Sequence, residues 1–198
     1  MKNPTGIAQG EKPLAGKKIV LDAGHGGSDI GAVVPLGAQE GTESALNLEL
    51  AQAVERQLRT LGAEVMMLRD DDSYLSLDAR ALAMKQENPD LAISLHHNSL
   101  ALSSNISTAE GHLVLYREDF SKTFAKTMSD ALGKGLPDRR NRGAAEQGLA
   151  VCYIMECPSI LIEMGFISNP YEYEKLSTEF DREAAAIADG VVNFLREH

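Results

Sequence analysis

The sequence of 198 residues predicts a single α/β domain. We expect a mainly parallel, twisted sheet of about six strands with helices on both faces. Two patterns support this. Short apolar runs of strand length alternate with longer segments whose apolar residues recur every three or four positions. The first strand run is also apolar without a break, which is typical of a parallel strand buried on both faces. The length suits one domain with a complete core.

The individual elements follow from local patterns. Strands are predicted at residues 17–21, 63–68, 90–95, 111–116, 149–154 and 158–162. Helices are predicted at residues 43–61, 76–84, 120–131 and 180–195. The first helix is the best defined, because leucines recur at helical spacing, Thr42 can act as its N-cap and Gly62 can end it. The polar stretch 133–148 is predicted to be a long loop.

Composition and charge restrict the class of partner. The chain carries 29 acidic and 19 basic residues, a formal net charge of −10, so it lacks the basic surface expected of a nucleic-acid-binding protein. No apolar run approaches the roughly 20 residues that a transmembrane helix needs. Residues 1–15 are rich in Gly, Pro and Lys without the apolar stretch of a signal peptide. We expect them to form a flexible lead-in to a domain at 16–198.

Polar side chains stand at the ends of three predicted strands. His25 follows the first strand among three glycines, His96 and His97 end the third, and Glu163 ends the last. Glu43 opens the helix after the His25 loop. Because parallel strands end at the same edge of a sheet, these side chains are expected to converge. Two histidines and a carboxylate are ligands typical of a catalytic zinc ion, which keeps a fourth position for water.

Each of these residues could instead have a purely structural role. His25 could be a loop histidine bonded to the backbone, and Glu43 could only complement the helix dipole. Neighbours on a strand point to opposite faces, so only one of His96 and His97 is expected to join the cluster. A phosphate-binding loop is disfavoured, since the GHGG segment lacks the G-x-G-x-x-G spacing and no Walker lysine follows. A serine hydrolase is disfavoured because no G-x-S-x-G segment is present.

Five segments, taken together, carry a family resemblance. They are IVLDAGHGGSDIGA, ESALNL, LRDDDSYLSLDARALAMKQENPDLAISLHHNS, NRG and ILIEMGFISNP. In this order they resemble the zinc-dependent N-acetylmuramoyl-L-alanine amidases, the type 3 cell-wall amidases. The resemblance extends from about residue 17 to the end of the chain.

The resemblance implies a set of site residues. One zinc ion would be held by His25, Glu43 and His96. Glu40 is an alternative carboxylate, but it lies three residues too early for the helix. The catalytic carboxylate would be Glu163. Asn98 follows the third ligand and would steady the site.

The same resemblance leaves His97 in a variable position without a metal. It also places Arg142 in a loop that could contact substrate.

The resemblance also implies a reaction and a place of action. The substrate would be peptidoglycan, and the bond would be the amide between the lactyl group of N-acetylmuramic acid and L-alanine. We expect a monomer acting in the periplasm, the cell wall or outside the cell, or one held in the cytoplasm until release, as for a phage lysin. Some amidases of this family carry a helical insert that covers the zinc ion until an activator displaces it. The stretch 99–111 is too short for such a helix, so no obligatory activator is expected. A non-catalytic peptidoglycan-binding module and a zinc hydrolase of another bond are the rival functions.

Overall fold

The computed structural model describes residues 10–34, 41–101, 105–150 and 157–198. Six strands form one sheet: β1 (Lys18–Ala23), β2 (Glu64–Met67), β3 (Leu91–Asn98), β4 (His112–Tyr116), β5 (Asn141–Glu146) and β6 (Ser159–Phe166). Five helices accompany it: α1 (Glu43–Thr60), α2 (Leu77–Glu87), α3 (Lys122–Gly135), α4 (Pro170–Leu176) and α5 (Phe180–Glu197). This confirms the predicted single α/β domain.

The strand order places the ends of most strands at one edge. The order across the sheet is β2-β1-β3-β6-β4-β5. Strands β2, β1, β3 and β6 are parallel, whereas β4 pairs antiparallel with β6 and parallel with β5. The carboxyl ends of β2, β1, β3 and β6 and the starts of β4 and β5 therefore lie along the same edge, which we call the carboxyl edge.

Helices cover both faces of the sheet, as predicted, but unevenly. Ile19 and Leu21 of β1 belong to the large core formed with α1, α3 and α5. Val20 faces the other way and packs with Met84 of α2 and Ala92 of β3. The alternation along β1 explains its unbroken apolar sequence, because each face buries its own residues.

The ends of α1 and α2 follow the predicted caps. The Thr42 hydroxyl accepts a hydrogen bond from the Ala45 amide at 3.3 Å, and the Ser76 hydroxyl accepts one from the Ala79 amide at 3.2 Å. After α1 the chain turns at Gly62, whose φ of 99° lies in the region that favours glycine. The cap at Thr42 makes Glu43 the first helical residue and so fixes its position at the carboxyl edge.

Two elements differ from the sequence prediction. Residues 141–146 fall in the predicted loop and instead form β5, an edge strand that is polar because one side of it has no neighbour. Helix α4 is not among the predicted helices; it is short and begins with Asn169 as cap and Pro170 in its first turn. Residues 151–154 of the strand predicted at 149–154 lie outside the described residues.

The start of the domain also differs from its predicted boundary. Leu14 is fully buried in the core, and its amide donates a hydrogen bond to the Leu61 carbonyl at 3.1 Å. The boundary predicted at residue 16 therefore lies within the packed part of the chain, while residues 1–9 lie outside the described residues. Among the described helices, none combines the length and the hydrophobicity that crossing a bilayer requires.

Candidate active site

The loop after β1 presents His25 from a constrained backbone. His25 has a φ of 62°, which is uncommon for a residue with a side chain. Gly24 precedes it, and a Cβ atom there would lie 2.2 Å from the ring of His96. Glycine is thus required so that the His96 ring can lie directly against this backbone. The glycine-rich segment brings two imidazoles together, with ring centroids 5.0 Å apart.

Glu43 lies between these two histidines. Its Oε1 is 3.1 Å from Nε2 of His25 and 2.9 Å from Nδ1 of His96. One donor atom from each of the three residues lies within 4.8 Å of the other two. The second oxygen, Oε2, accepts a hydrogen bond from the Ala32 amide at 3.0 Å, which fixes the carboxylate plane. This group, His25–Glu43–His96, can hold a metal ion.

Hydrogen bonds within the group place a negative charge on Glu43. Burial disfavours the ionised form of Glu43, but hydrogen bonding with His25 and His96 outweighs this effect and lowers the pKa of the carboxyl group below its usual range. Hydrogen bonding with Glu43 raises the pKa of His25 to about 9, although burial acts in the opposite direction. The carboxylate is therefore ionised at neutral pH and forms the negative centre of the group.

Asp29 contacts the ring nitrogen of His25 that is not directed at Glu43. Its Oδ1 lies 2.9 Å from Nδ1 of His25, the ring nitrogen that faces away from Glu43. The same oxygen accepts a hydrogen bond from the Gly31 amide at 3.2 Å. A carboxylate on the distal nitrogen fixes the tautomer and orientation of a ligating histidine. The sequence patterns did not indicate Asp29, although its position four residues after His25 in the glycine-rich segment was visible.

Glu163 lies on the strand next to His96. The two residues are register partners on β3 and β6. The Oε2 atom of Glu163 is buried and has no hydrogen-bond partner among the described residues. Burial raises the pKa of this carboxyl group, and the charge of His96 opposes the rise. A half-buried carboxylate whose inner oxygen has no partner among the described residues is suited to accept and return a proton beside a candidate metal site.

Comparison with known proteins identifies the family of this chain. Residues 19–193 match the family described as N-acetylmuramoyl-L-alanine amidase. The chain belongs to this amidase family. It is 34% identical over 193 residues to the probable cell wall amidase LytH of Staphylococcus epidermidis, covering 96% of this chain and 62% of LytH.

Two solved amidase structures share the fold. The N-acetylmuramoyl-L-alanine amidase from Clostridium difficile 630 has a TM-score of 0.84 and 32% identity, over 91% of this chain and 97% of that one. The CwlD amidase from Clostridioides difficile, solved in complex with the GerS lipoprotein, has a TM-score of 0.83 and 27% identity, over 92% of this chain and all of CwlD. The described domain therefore has the architecture of solved N-acetylmuramoyl-L-alanine amidases.

The structure also places three of the other four predicted residues, Asn98, His97 and Arg142. Asn98 ends β3, and its Oδ1 accepts a hydrogen bond from the Ser99 amide at 2.8 Å, so it fixes the turn after the strand. His97 is not part of the group and is buried, with Nδ1 2.7 Å from Oδ1 of Asn47. Glu40 lies outside the described residues. Arg142 lies at the start of β5 on the carboxyl edge, with its guanidinium 5.0 Å from the centre of the Phe166 ring.

A buried arginine, Arg69, holds the His25 loop to α1. Its Nε donates to the Ala23 carbonyl at 2.8 Å, and its Nη2 donates to the carbonyls of Gly24 and Ser44 at 2.9 and 2.8 Å. These carbonyls belong to the two segments that supply His25 and Glu43. The arginine thus satisfies backbone acceptors that would otherwise be buried without partners.

A second buried arginine, Arg80 of α2, approaches the same loop from the opposite face. It forms a buried ion pair with Asp22 and donates to the carbonyls of Ala23 and His25. The other oxygen of Asp22 accepts a hydrogen bond from the Ser94 hydroxyl at 2.8 Å. The sequence patterns indicated neither arginine, because a basic residue in a helix or after a strand is usually exposed.

Removing Arg80 is expected to destabilise the fold strongly. Arg80→Met leaves Asp22 charged, buried and without its partner, so we expect the free energy of unfolding to fall by about 3–5 kcal/mol. Urea unfolding measures this change as a shift in midpoint with little change in slope.

Arg56→Met provides the control. Arg56 and Asp181 form a well-exposed pair at 3.6 Å, so its loss is expected to cost at most about 1 kcal/mol. The double variant Arg80→Met with Asp22→Asn should regain part of the loss, because it removes the unpaired charge. Equal effects of the Arg80 and Arg56 substitutions would contradict the assigned role of the buried pair.

Proposed function

We propose that the chain is a zinc-dependent N-acetylmuramoyl-L-alanine amidase. It hydrolyses the amide bond between the lactyl group of N-acetylmuramic acid and L-alanine in peptidoglycan. The observation that carries this proposal is the convergence of His25, Glu43 and His96 beside Glu163, whose buried oxygen has no partner among the described residues. Membership of the amidase family supports the choice of bond and substrate.

The donor set fits one zinc ion. Two imidazole nitrogens and one carboxylate oxygen are a common ligand set of catalytic zinc sites. Both histidines point a ring nitrogen at the same oxygen of Glu43, so one small cation can contact all three residues. When bound, the ion polarises the amide carbonyl and lowers the pKa of water at the site. Asp29 would hold His25 in the tautomer that presents Nε2.

Glu163 would carry the proton through the reaction. As a general base its carboxylate accepts a proton from the attacking water, and as a general acid it returns that proton to the departing nitrogen of L-alanine. Protonation of this nitrogen is needed, because an amide anion is a poor leaving group. The buried position beside His96 supports both steps, since burial raises the pKa of the carboxyl group. Asn98 and Arg142 complete the proposed substrate-binding residues.

The setting of the reaction is part of the proposal. The chain spans about 62% of the length of LytH. The activity, substrate and partners of the whole protein are therefore part of the proposal and are not taken over from LytH. We place its action in the periplasm, in the cell wall or outside the cell, where peptidoglycan is found. We further propose that the catalytic unit, predicted at 16–198 and packed from Leu14 onwards, acts as a monomer on peptidoglycan alone.

One experiment separates this function from its rivals. Metal analysis of the purified chain is combined with mass spectrometry of digested muropeptides. The amidase releases stem peptides with a free L-alanine amine and leaves the lactyl carboxylate on the glycan, with one zinc ion per chain. A zinc hydrolase of another bond gives different fragments. A non-catalytic binding module gives none, and either result would refute the proposal.

Hydrolysis is expected without a partner protein. The side chains of His25 and His96 are 24% and 17% exposed, and a cavity of about 80 Å³ opens beside them. The stretch 99–111 is also short. We therefore expect the purified, zinc-loaded chain to release stem peptides from isolated peptidoglycan, measured by chromatography.

The CwlD complex with GerS shows why this must be tested. A zinc-loaded chain that is inactive alone and becomes active only after a second protein is added would contradict the expectation.

A further inference from the structure

Features of the site lie in a defined order along the carboxyl edge. The loop 69–76 follows β2, His25 follows β1, His96 lies on β3, Glu163 lies on β6, and Arg142 lies at the start of β5. Because neighbouring strands are about 4.7–4.9 Å apart, the edge from β2 to β5 is about 24 Å long. The candidate metal site is near the middle. A substrate lying along the edge must therefore place different parts of itself at the two ends.

Two large side chains, Tyr74 and Leu77, are exposed at one end of the edge, next to the acidic residues 70–72. Tyr74 and Leu77 are 54% and 58% exposed, and they line the cavity of about 80 Å³ together with His25 and His96. Large apolar side chains that stay exposed beside a polar site are typical of a ligand-binding surface. We call Tyr74 and Leu77 the aromatic end of the carboxyl edge.

The aromatic end is held in place by the same network that holds the His25 loop. The Gly27 amide donates to the Asp72 carboxylate at 3.0 Å, and Arg69 donates to the Asp71 carbonyl at 2.9 Å. Arg80 donates to the Leu75 carbonyl at 3.1 Å. Tyr74 is thus attached to the loop that carries His25, so its ring is presented at a fixed position relative to the candidate metal site.

The other end of the edge is positively charged. Arg142 is exposed, and its guanidinium lies over the ring of Phe166 at 5.0 Å, which restricts its orientation without occupying its hydrogen-bond donors. Its charge acts on Glu163, so the two side chains share one region of the site. A guanidinium in this setting is suited to a carboxylate ligand. We call Arg142 the basic end of the carboxyl edge.

We propose that peptidoglycan lies along this edge in one direction, with the glycan at the aromatic end and the stem peptide at the basic end. This inference rests on the proposed amidase function. The sugar rings are uncharged and offer C–H faces that pack on an aromatic ring such as that of Tyr74. The stem peptide carries carboxylates, which Arg142 can bind. The two halves of the substrate therefore match the two ends chemically.

The position of Glu163 supports the same direction independently of charge. The nitrogen that leaves belongs to the stem peptide, and it must be protonated as the C–N bond breaks. In the strand order, Glu163 lies on the Arg142 side of both histidines. A peptide directed towards Arg142 places its departing nitrogen on the side of the acid, whereas the reverse direction places the lactyl group there.

Matched substrates test the direction. The first pair differs only in carrying one sugar or a disaccharide on the same lactyl tripeptide, and the ratio of their kcat/KM values is the disaccharide advantage. The second pair differs only in whether the peptide carboxylates are free or amidated, and the corresponding ratio is the carboxylate preference. Values of kcat/KM are measured for the zinc-loaded full chain. Tyr74→Ala should reduce the advantage of the disaccharide by about 3- to 10-fold and leave the carboxylate preference unchanged. Arg142→Gln should reduce the carboxylate preference by about 3- to 10-fold and leave the disaccharide advantage unchanged.

Conservative and distant variants serve as controls. Tyr74→Phe should restore the disaccharide advantage and Arg142→Lys part of the carboxylate preference, which a general loss of structure would not allow. Phe120→Ala removes an exposed aromatic ring close to the opposite edge of the sheet, and Arg56→Gln removes an exposed charge near the end of α1. Neither substitution should change the disaccharide advantage or the carboxylate preference.

The possible failures are distinguishable. If the Tyr74 variant changes the carboxylate preference and the Arg142 variant the disaccharide advantage, the direction is reversed and the inference is wrong. If neither ratio changes in either variant while the wild type hydrolyses the substrates, the inference is also wrong and the amidase function stands. If the zinc-loaded wild type hydrolyses none of the four substrates, the proposed function is wrong and the direction falls with it.

Discussion

Glu163→Gln is expected to reduce hydrolysis of peptidoglycan by about 10²–10⁴-fold or more while the zinc content stays at one ion per chain. The amide is nearly the same size as the carboxylate, so β6 and its pairing with β3 should be retained. What is lost is a group that can accept a proton from water and return it to the leaving nitrogen. Rates are compared by chromatography of muropeptides released by equal amounts of zinc-loaded protein.

The pH dependence provides a second readout of this variant. A general base must be ionised to act, so wild-type activity should rise with pH through the pKa of Glu163, which burial raises. The glutamine variant should lack this acidic limb. If Glu163 only anchored the end of β6 through hydrogen bonds, glutamine would be tolerated. Release of stem peptides at near wild-type rates would therefore remove Glu163 from the mechanism.

His96→Ala is expected to lose zinc and activity together. His96 supplies one of the three converging donor atoms, and two protein ligands rarely retain zinc against dilution and chelators. Metal content is measured after dialysis, together with release of stem peptides.

His97→Ala is the matched control, because it alters the adjacent histidine of the same strand. His97 bonds to Asn47 of α1 and is not one of the three converging residues, so its loss should lower the free energy of unfolding but leave the metal in place. Both variants are therefore assayed below their unfolding midpoints. Loss of zinc from the His97 variant, or its retention by the His96 variant, would refute the proposed ligand set.

The sequence was sufficient wherever local signals determine position. The start of α1 follows from Thr42 and the leucine spacing, and this alone places Glu43 in the first turn of the helix. Alternation along β3 indicated that only one of His96 and His97 would join the cluster, and among the described residues His96 does so while His97 bonds to Asn47. Parallel strands then bring separate strand ends together without further information.

Long-range contacts were the part that the sequence did not reveal. Arg69 and Arg80 resemble ordinary surface charges in the sequence, and their burial depends on carbonyls 25 to 57 positions away. Strand β5 was missed because an edge strand with polar and small residues lacks the apolar alternation on which strand prediction depends. Asp29 lies only four residues after His25, but the left-handed conformation at His25, which the sequence does not show, brings the carboxylate to the imidazole.

The polarity of the sheet has a consequence for how the protein can be handled. All the site residues lie at the carboxyl edge, and the turn at 88–90 leads into the opposite end of β3. That turn contains Asn88 in a left-handed conformation and is partly exposed. An affinity tag, a fluorophore or a tether to a solid support inserted there would point away from the carboxyl edge. A chain immobilised in this way would still present its reactive side to an insoluble mesh such as the bacterial wall.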